Sequence, residues 1–241
     1  MMTTEPRALL RLLAWLSPAF PTGGFAYSHG LEWAVEAGDL RDGDTLREWL
    51  DDVLAHGSGR SDAILLRHAH RAWDDTTELG EIAELAHAVA PSRERRMETV
   101  AQGAAFGAAG SAWFVPSPHP GPLPKGEGAA KPSPFGRGLG EGNAAYPVAV
   151  GTLTGAHGIA EHDAALAYLH AFASNLISAG VRLIPLGQST GLAVLAALEP
   201  TLLSIADETR HATLDDLGGC TFRADIASMR HETQYTRLFR S

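Results

Sequence analysis

Apolar residues recur at helical spacing along most of the chain, and no stretch alternates convincingly with the period of a strand. Leu9, Leu10, Leu12, Leu13 and Leu16 predict a first helix, which stops at Ser17 because the residue before Pro18 is pushed out of the α region. After a polar turn at Asp39 to Asp44, Leu46, Trp49, Leu50, Val53 and Leu54 form the cleanest amphipathic stripe. Thr45 and Glu48 form a candidate capping box before this stripe, and Gly57 is placed to close it. From Ser61, Ile64, Leu65, Ala69, Ala72 and Trp73 predict the next helix, and Leu79, Ile82, Ala83, Ala86 and Val89 another. Pro91 and Ser92 open a stretch running through Met97, Val100 and Ala101 into AQGAAFGAAGSAWF. Its small residues, Gly103, Ala104, Gly107, Ala108 and Ala109, suit either internal helix packing or a dimer interface.

Order is expected to resume near Tyr146. Ala165, Leu166, Leu169, Phe172, Ala173, Leu176 and Ile177 line a long helix from Glu161 to Gly180, with Gly180 at its end. Leu192, Val194, Leu195 and Leu198 predict a helix from Ser189, and Pro200 opens a further one carrying Leu202, Leu203 and Ala206. The pattern is that of an all-α, single-domain bundle of about ten helices with short links.

Three stretches break the pattern. Ser17 to Glu32, SPAFPTGGFAYSHGLE, joins two prolines, the pair Gly23-Gly24 and an aromatic cluster in an elbow, after which Ser28 can cap a helix bearing Leu31, Trp33, Ala34 and Val35. Val181 to Gln188, VRLIPLGQ, sets Arg182 among apolar neighbours before Pro185 and Gly187. Pro116 to Gly142 holds seven prolines and seven glycines in 27 residues, too few large apolar groups to offset ordering entropy, and is expected to be a mobile surface excursion. Its GRGLGEG lacks the strand and helix a glycine-rich nucleotide loop requires.

Composition narrows the function. With 241 residues, 45% hydrophobic and 20% charged, the chain suits one sizeable soluble core. A net charge of -9 argues against nucleic-acid or anionic-membrane binding driven by bulk charge. No run approaches the roughly 20 apolar residues of a membrane span and the start lacks a secretory pattern, so a cytoplasmic location is expected. Cys220 is the only cysteine, which excludes an internal disulfide framework and a cysteine-rich zinc site. The two lysines, Lys125 and Lys131, both lie in the Pro/Gly-rich stretch, so the body has none for a phosphate loop or a Schiff base.

Candidate chemistry is thin. His68 and His70 fall on different helical faces, His157 and His162 are not at ligand spacing, and His231-Glu232 lacks a second histidine. A weak transition-metal contact through His231 or Cys220, completed across a dimer, stays open. Ser28 beside His29 makes no nucleophile-base pair by adjacency alone. Glu32 reads as a surface carboxylate aimed at a partner or as a plain helix-face charge. Arg182 reads as structural, holding the elbow to the long helix through acceptors such as Tyr27. The tail, SMRHETQYTRLFRS, interleaves Arg230, Arg237 and Arg240 with Met229, Tyr235, Leu238 and Phe239, the residue types of interface hot spots. It either orders on a partner or docks on its own core.

The blocks SPAFPTGGFAYSHGLE, VRLIPLGQ and SMRHETQYTRLFRS, in this order and spread over nearly the whole chain, resemble the urease accessory protein UreF family. The resemblance implies an all-α homodimeric accessory protein, not an enzyme, that joins UreD/UreH and the GTPase UreG in delivering nickel to apo-urease. It implies that nickel and GTP are handled by the complex, with no cofactor held stably here, and that GTP hydrolysis is open to modulation. It implies a partner-binding surface at Gly23, Gly24, Tyr27, Ser28 and Glu32. A tail from residue 228 to 241, with Arg230, His231, Glu232, Tyr235, Arg237, Leu238, Phe239, Arg240 and Ser241, would order on UreD/UreH. Pro18, Arg182, Pro185, Gly187 and Gln188 are structural in this reading, and segment 116-142 resembles an insertion. A helical adaptor unrelated to urease, or an all-α small-molecule enzyme using His and Glu near the elbow, are the competing classes.

Overall fold

The computed structural model describes residues 5–113 and 144–241. Among these residues it forms ten α-helices, short 3-10 turns and no strand. The helices are α1 (Pro6–Trp15), α2 (Leu31–Glu36), α3 (Gly43–His56), α4 (Ser58–Arg71) and α5 (Thr76–Ala88), then α6 (Arg93–Gly110), α7 (Tyr146–Ala156), α8 (Glu161–Leu183), α9 (Gln188–Glu208) and α10 (Phe222–His231). The Pro/Gly-rich stretch 116-142 lies outside the described residues.

Two apolar cores share α4 and α8. One gathers Leu12, Trp15, Leu65, Leu66, Leu79, Ile82, Phe106, Val148, Leu153 and Tyr168, and the other Leu31, Leu46, Leu50, Leu54, Leu169, Leu176, Val194, Leu198, Leu202, Ile205 and Phe239. Arg67, buried on α4, ties the cores together through Glu161 at 2.6 Å, Thr209 at 3.2 Å and the carbonyl of Ala206 at 2.5 Å.

Gly103 on α6 and Gly151 on α7 serve internal packing, while Ala108 on α6 is exposed. A Cβ on Gly103 would lie 1.9 Å from the Ala144 carbonyl oxygen, and one on Gly151 would lie 2.2 Å from that of Leu66. Gly151 is the firmer case, because both partners are helix backbone and neither can retreat without moving a core. Gly151→Ala is expected to lower stability by roughly 1–3 kcal/mol, several degrees in melting temperature. Gly80→Ala on α5, where nothing lies within 4 Å, should be neutral or stabilising. A Gly151 variant that melts no lower than wild type would contradict this packing.

The structure corrects several boundaries. The capping box of α3 is Asp42 with Thr45, not Thr45 with Glu48: Asp42 accepts from the Thr45 amide at 2.8 Å, and the Thr45 hydroxyl answers the Asp42 amide. Gly57 does end α3, but α4 starts at once at Ser58 rather than at Ser61. Gly180 lies inside α8 and not at its end, since its missing side chain makes room for Leu46. Pro200 does not open a new helix. It sits on the solvent side of a continuous α9, where the carbonyl freed at Ala196 faces water and the stripe Val194, Leu198, Leu202, Ile205 stays intact. Residues 161–183 and 188–211 are long and apolar enough to cross a membrane, at mean hydropathy 1.3 and 1.5, contrary to the reading from sequence. Here they pack on each other and carry the second core.

Candidate functional site

The elbow turns through left-handed residues. Gly23 has φ 75°, a 3-10 turn follows at Gly24–Ala26, and Gly30 at φ 78° starts α2. Gly30 is required twice over, because a Cβ there would lie 2.6 Å from the amide nitrogen of Ser228 on α10. His29 between them has φ 57°, an uncommon conformation for a side-chain-bearing residue. Gly30, not Ser28, holds the cap position of α2, although the Ser28 hydroxyl accepts from the Glu32 amide at 3.5 Å; both the amide and the hydroxyl of Ser28 donate to the Ser241 carbonyl, at 2.7 and 2.5 Å.

The last ten residues therefore lie back across the elbow. The Arg240 amide donates to the Ala26 carbonyl at 2.8 Å. Glu32 is no surface carboxylate: it is buried and accepts from the amides of Leu238 and Phe239 at 2.7 and 3.0 Å. Its Oε2 also meets Nε2 of His231 at 3.1 Å, while His231 Nδ1 faces Glu94 at 2.6 Å. Both nitrogens of this wholly buried ring face carboxylates, which fixes the ring between α2 and α6. Glu94 further accepts from Arg237 at 2.6 Å, Gln234 donates to Glu36 at 2.6 Å, and Glu232 accepts the Arg93 amide at the start of α6 at 2.8 Å.

Glu98 is the second anchor. It meets His29 Nε2 and the Gln102 amide at 2.7 Å each, the Ser241 hydroxyl at 2.6 Å, and the Arg95 guanidinium. Burial alone would push its carboxyl up, but Arg95, His29 and Ser241 outweigh that and hold it at about 2. Arg182 links elbow and tail by stacking rather than through Tyr27. Its guanidinium lies 3.6 Å from the centroid of Phe25 and 4.4 Å from that of Phe239, and its Nε donates to the Ser178 carbonyl of its own helix.

The tail and elbow residues thus divide. Tyr27, Ser28, Glu32, His231, Phe239 and Ser241 face inward, while Gly23, Arg230, Tyr235, Arg237, Leu238 and Arg240 face outward, with Tyr235 fully exposed and Leu238 79% exposed. Glu232 is half-buried. Pro18 and Gly24 line a cavity under the elbow. Pro185, Gly187 and Gln188 make the turn into α9, away from the tail carboxylates, where Gly187 holds the cap position. The residues unnoticed in the sequence are Glu94, Arg95 and Glu98. Their signal was the polar ladder Glu94, Glu98, Gln102 at four-residue steps, which continues into the buried Gly103, Phe106 and Gly107.

Among the described residues no group of three or more His, Cys, Asp or Glu is placed to hold a metal. His68 and His70 bond the carbonyls of Ala212 and Ile159, and Cys220 is exposed. Asp62, at the meeting of two cavities, accepts from the Tyr168 hydroxyl at 2.8 Å, and burial raises its carboxyl to about 6 against the opposing pull of Arg95 and Tyr168. Glu98 also faces it. A carboxyl raised on folding favours the folded state when protonated, below about pH 4, and costs stability as pH rises through 6. Asp62→Asn, which keeps an acceptor for Tyr168, is expected to be more stable than wild type by about 1–3 kcal/mol at pH 7.5 and no different at pH 4. Equal melting curves at both pH values would contradict this.

Comparison with known proteins agrees with the three sequence blocks. The UreF family model matches residues 40–199. A urease accessory protein UreF from Bradyrhizobium sp. (strain ORS 278) is 54% identical over 245 residues, covering 98% of this chain and 93% of the relative. Those of Rhodopseudomonas palustris (strain BisB5) and Methylorubrum populi (strain ATCC BAA-705 / NCIMB 13946 / BJ001) are 52% and 50% identical, covering 98% and 96% of this chain and 93% and 98% of theirs. The chain belongs to the UreF family of urease accessory proteins.

Proposed function

We propose that the chain is a non-enzymatic scaffold that bridges UreD/UreH and the GTPase UreG for nickel delivery to apo-urease, working as a homodimer in the cytoplasm. Nickel and GTP belong to the assembled complex, with modulation of GTP hydrolysis as part of the same role. The observation that carries this reading is the elbow-tail face. The buried Glu32 carboxylate holds the main chain of the tail at Leu238 and Phe239, and Tyr235, Leu238, Arg230 and Arg240 of the tail and Phe25 of the elbow are exposed. On a chain of net charge -9, exposed apolar side chains interspersed with arginines on the tail and elbow suit one partner surface with apolar and acidic groups, which we assign to UreD/UreH. Because the tail is already folded on the body, docking it costs less ordering entropy than docking a free segment.

The test is co-expression with a urease gene cluster lacking its own UreF, reading urease activity and the chains that co-purify. Restored activity with UreD/UreH and UreG bound is the expected result. A well-folded chain that captures neither protein would overturn the scaffold role.

A further inference from the structure

Under the elbow lies a cavity of about 270 Å³ that the scaffold role does not use. Phe25, Tyr146, Tyr168 and Phe172 give it an aromatic lining. His29 enters that lining with a side chain only 10% exposed, its Nε2 on Glu98. Burial, helped by Arg95, lowers the ring toward its neutral form, so the proton lies on the Glu98 side and Nδ1 is a bare acceptor. That Nδ1 has no partner among the described residues, nor does the Ser174 hydroxyl of α8, which lines the same cavity. Arg95 offers the opposite function. Among the described residues its guanidinium donates to Glu98, which leaves further N–H groups for a ligand. Arg95 and His29 Nε2 stand on the two oxygens of one carboxylate, and Nδ1 lies on the other edge of the same ring.

Charge narrows what fits. Glu98 already matches Arg95 and Asp62 adjoins them, so an anion meets no spare positive charge. We propose that this cavity binds a small uncharged aromatic carboxamide, its N–H donated to His29 Nδ1, its carbonyl accepting from Arg95, and its ring against the aromatic lining.

Benzamide titrated into the full chain, followed by nuclear magnetic resonance, tests this. Saturable binding at millimolar concentration or below is expected for a fragment of this size. Benzoate, of the same shape but anionic and without an N–H, should bind at least tenfold more weakly. Ser174→Leu, which fills the cavity from α8, should abolish binding with helical content unchanged, and His29→Phe should weaken it at least tenfold. Three results would overturn the proposal: no saturable binding, so that water alone occupies the space; equal affinity for benzoate; or undiminished binding to a folded Ser174→Leu chain.

Discussion

Replacing Glu98 by alanine is expected to destabilise the fold by roughly 3–5 kcal/mol, because it leaves the buried Arg95 guanidinium without its carboxylate. The loss spreads beyond one pair. His29, Gln102 and the Ser241 hydroxyl all lose the same acceptor, so α6, the elbow and the tail end are uncoupled together. For a chain of this size, that corresponds to a fall of about 6–20 °C in melting temperature. The pH dependence is diagnostic. A carboxyl lowered on folding, here to about 2, lends stability that is present above its unfolded value near 4.5 and lost as pH falls toward 2. The gap between wild type and Glu98→Ala should therefore be widest above pH 4.5 and narrow below it. Melting curves that differ by less than about 1 kcal/mol at pH 7 would show that the anchor is dispensable.

Glu32→Ala should act more locally and, on the proposed role, more severely on assembly. Its carboxylate is the acceptor for two successive tail amides and one of the two anions flanking His231. Charged hydrogen bonds of this kind contribute about 1.5–3 kcal/mol each, and the tail has few other fastenings between Gln234 and Arg240. The amides of Leu238 and Phe239 are expected to exchange with solvent at least a hundredfold faster. Those of α5 and α7, in the other core, should hardly change. Capture of UreD/UreH should fall with the loss of tail order, because the outward positions of Tyr235 and Leu238 depend on it. Unchanged exchange at residues 238 and 239 would refute the clamp.

The helices were legible because their apolar residues recur where a helix must bury one side, as in Leu46, Trp49, Leu50, Val53 and Leu54 of α3. What was not legible lies where local chemistry and tertiary context conflict. Pro200 looks like a start signal, yet an exposed proline can sit within a helix whose freed carbonyl meets water. Gly180 looks like a stop, yet its role is to admit Leu46. The elbow, the tail and the importance of Glu32 were visible as residues, but not their mutual contact. A carboxylate on a short helix reads as solvent-facing until a segment some two hundred residues away brings it amides and an imidazole. Glu94 and Glu98 were hidden for the same reason, in the charged run RERRME at the start of α6.

The most direct measurement is capture of UreD/UreH by the double variant Tyr235→Ala, Leu238→Ala, compared with wild type at matched expression. Both side chains point away from the body, so the melting temperature and the exchange protection of the tail should be unchanged. If the elbow-tail face is the docking surface, capture falls at least tenfold, as truncating exposed anchors at an interface centre does. Undiminished capture by a folded double variant would contradict the assignment and place UreD/UreH on another face.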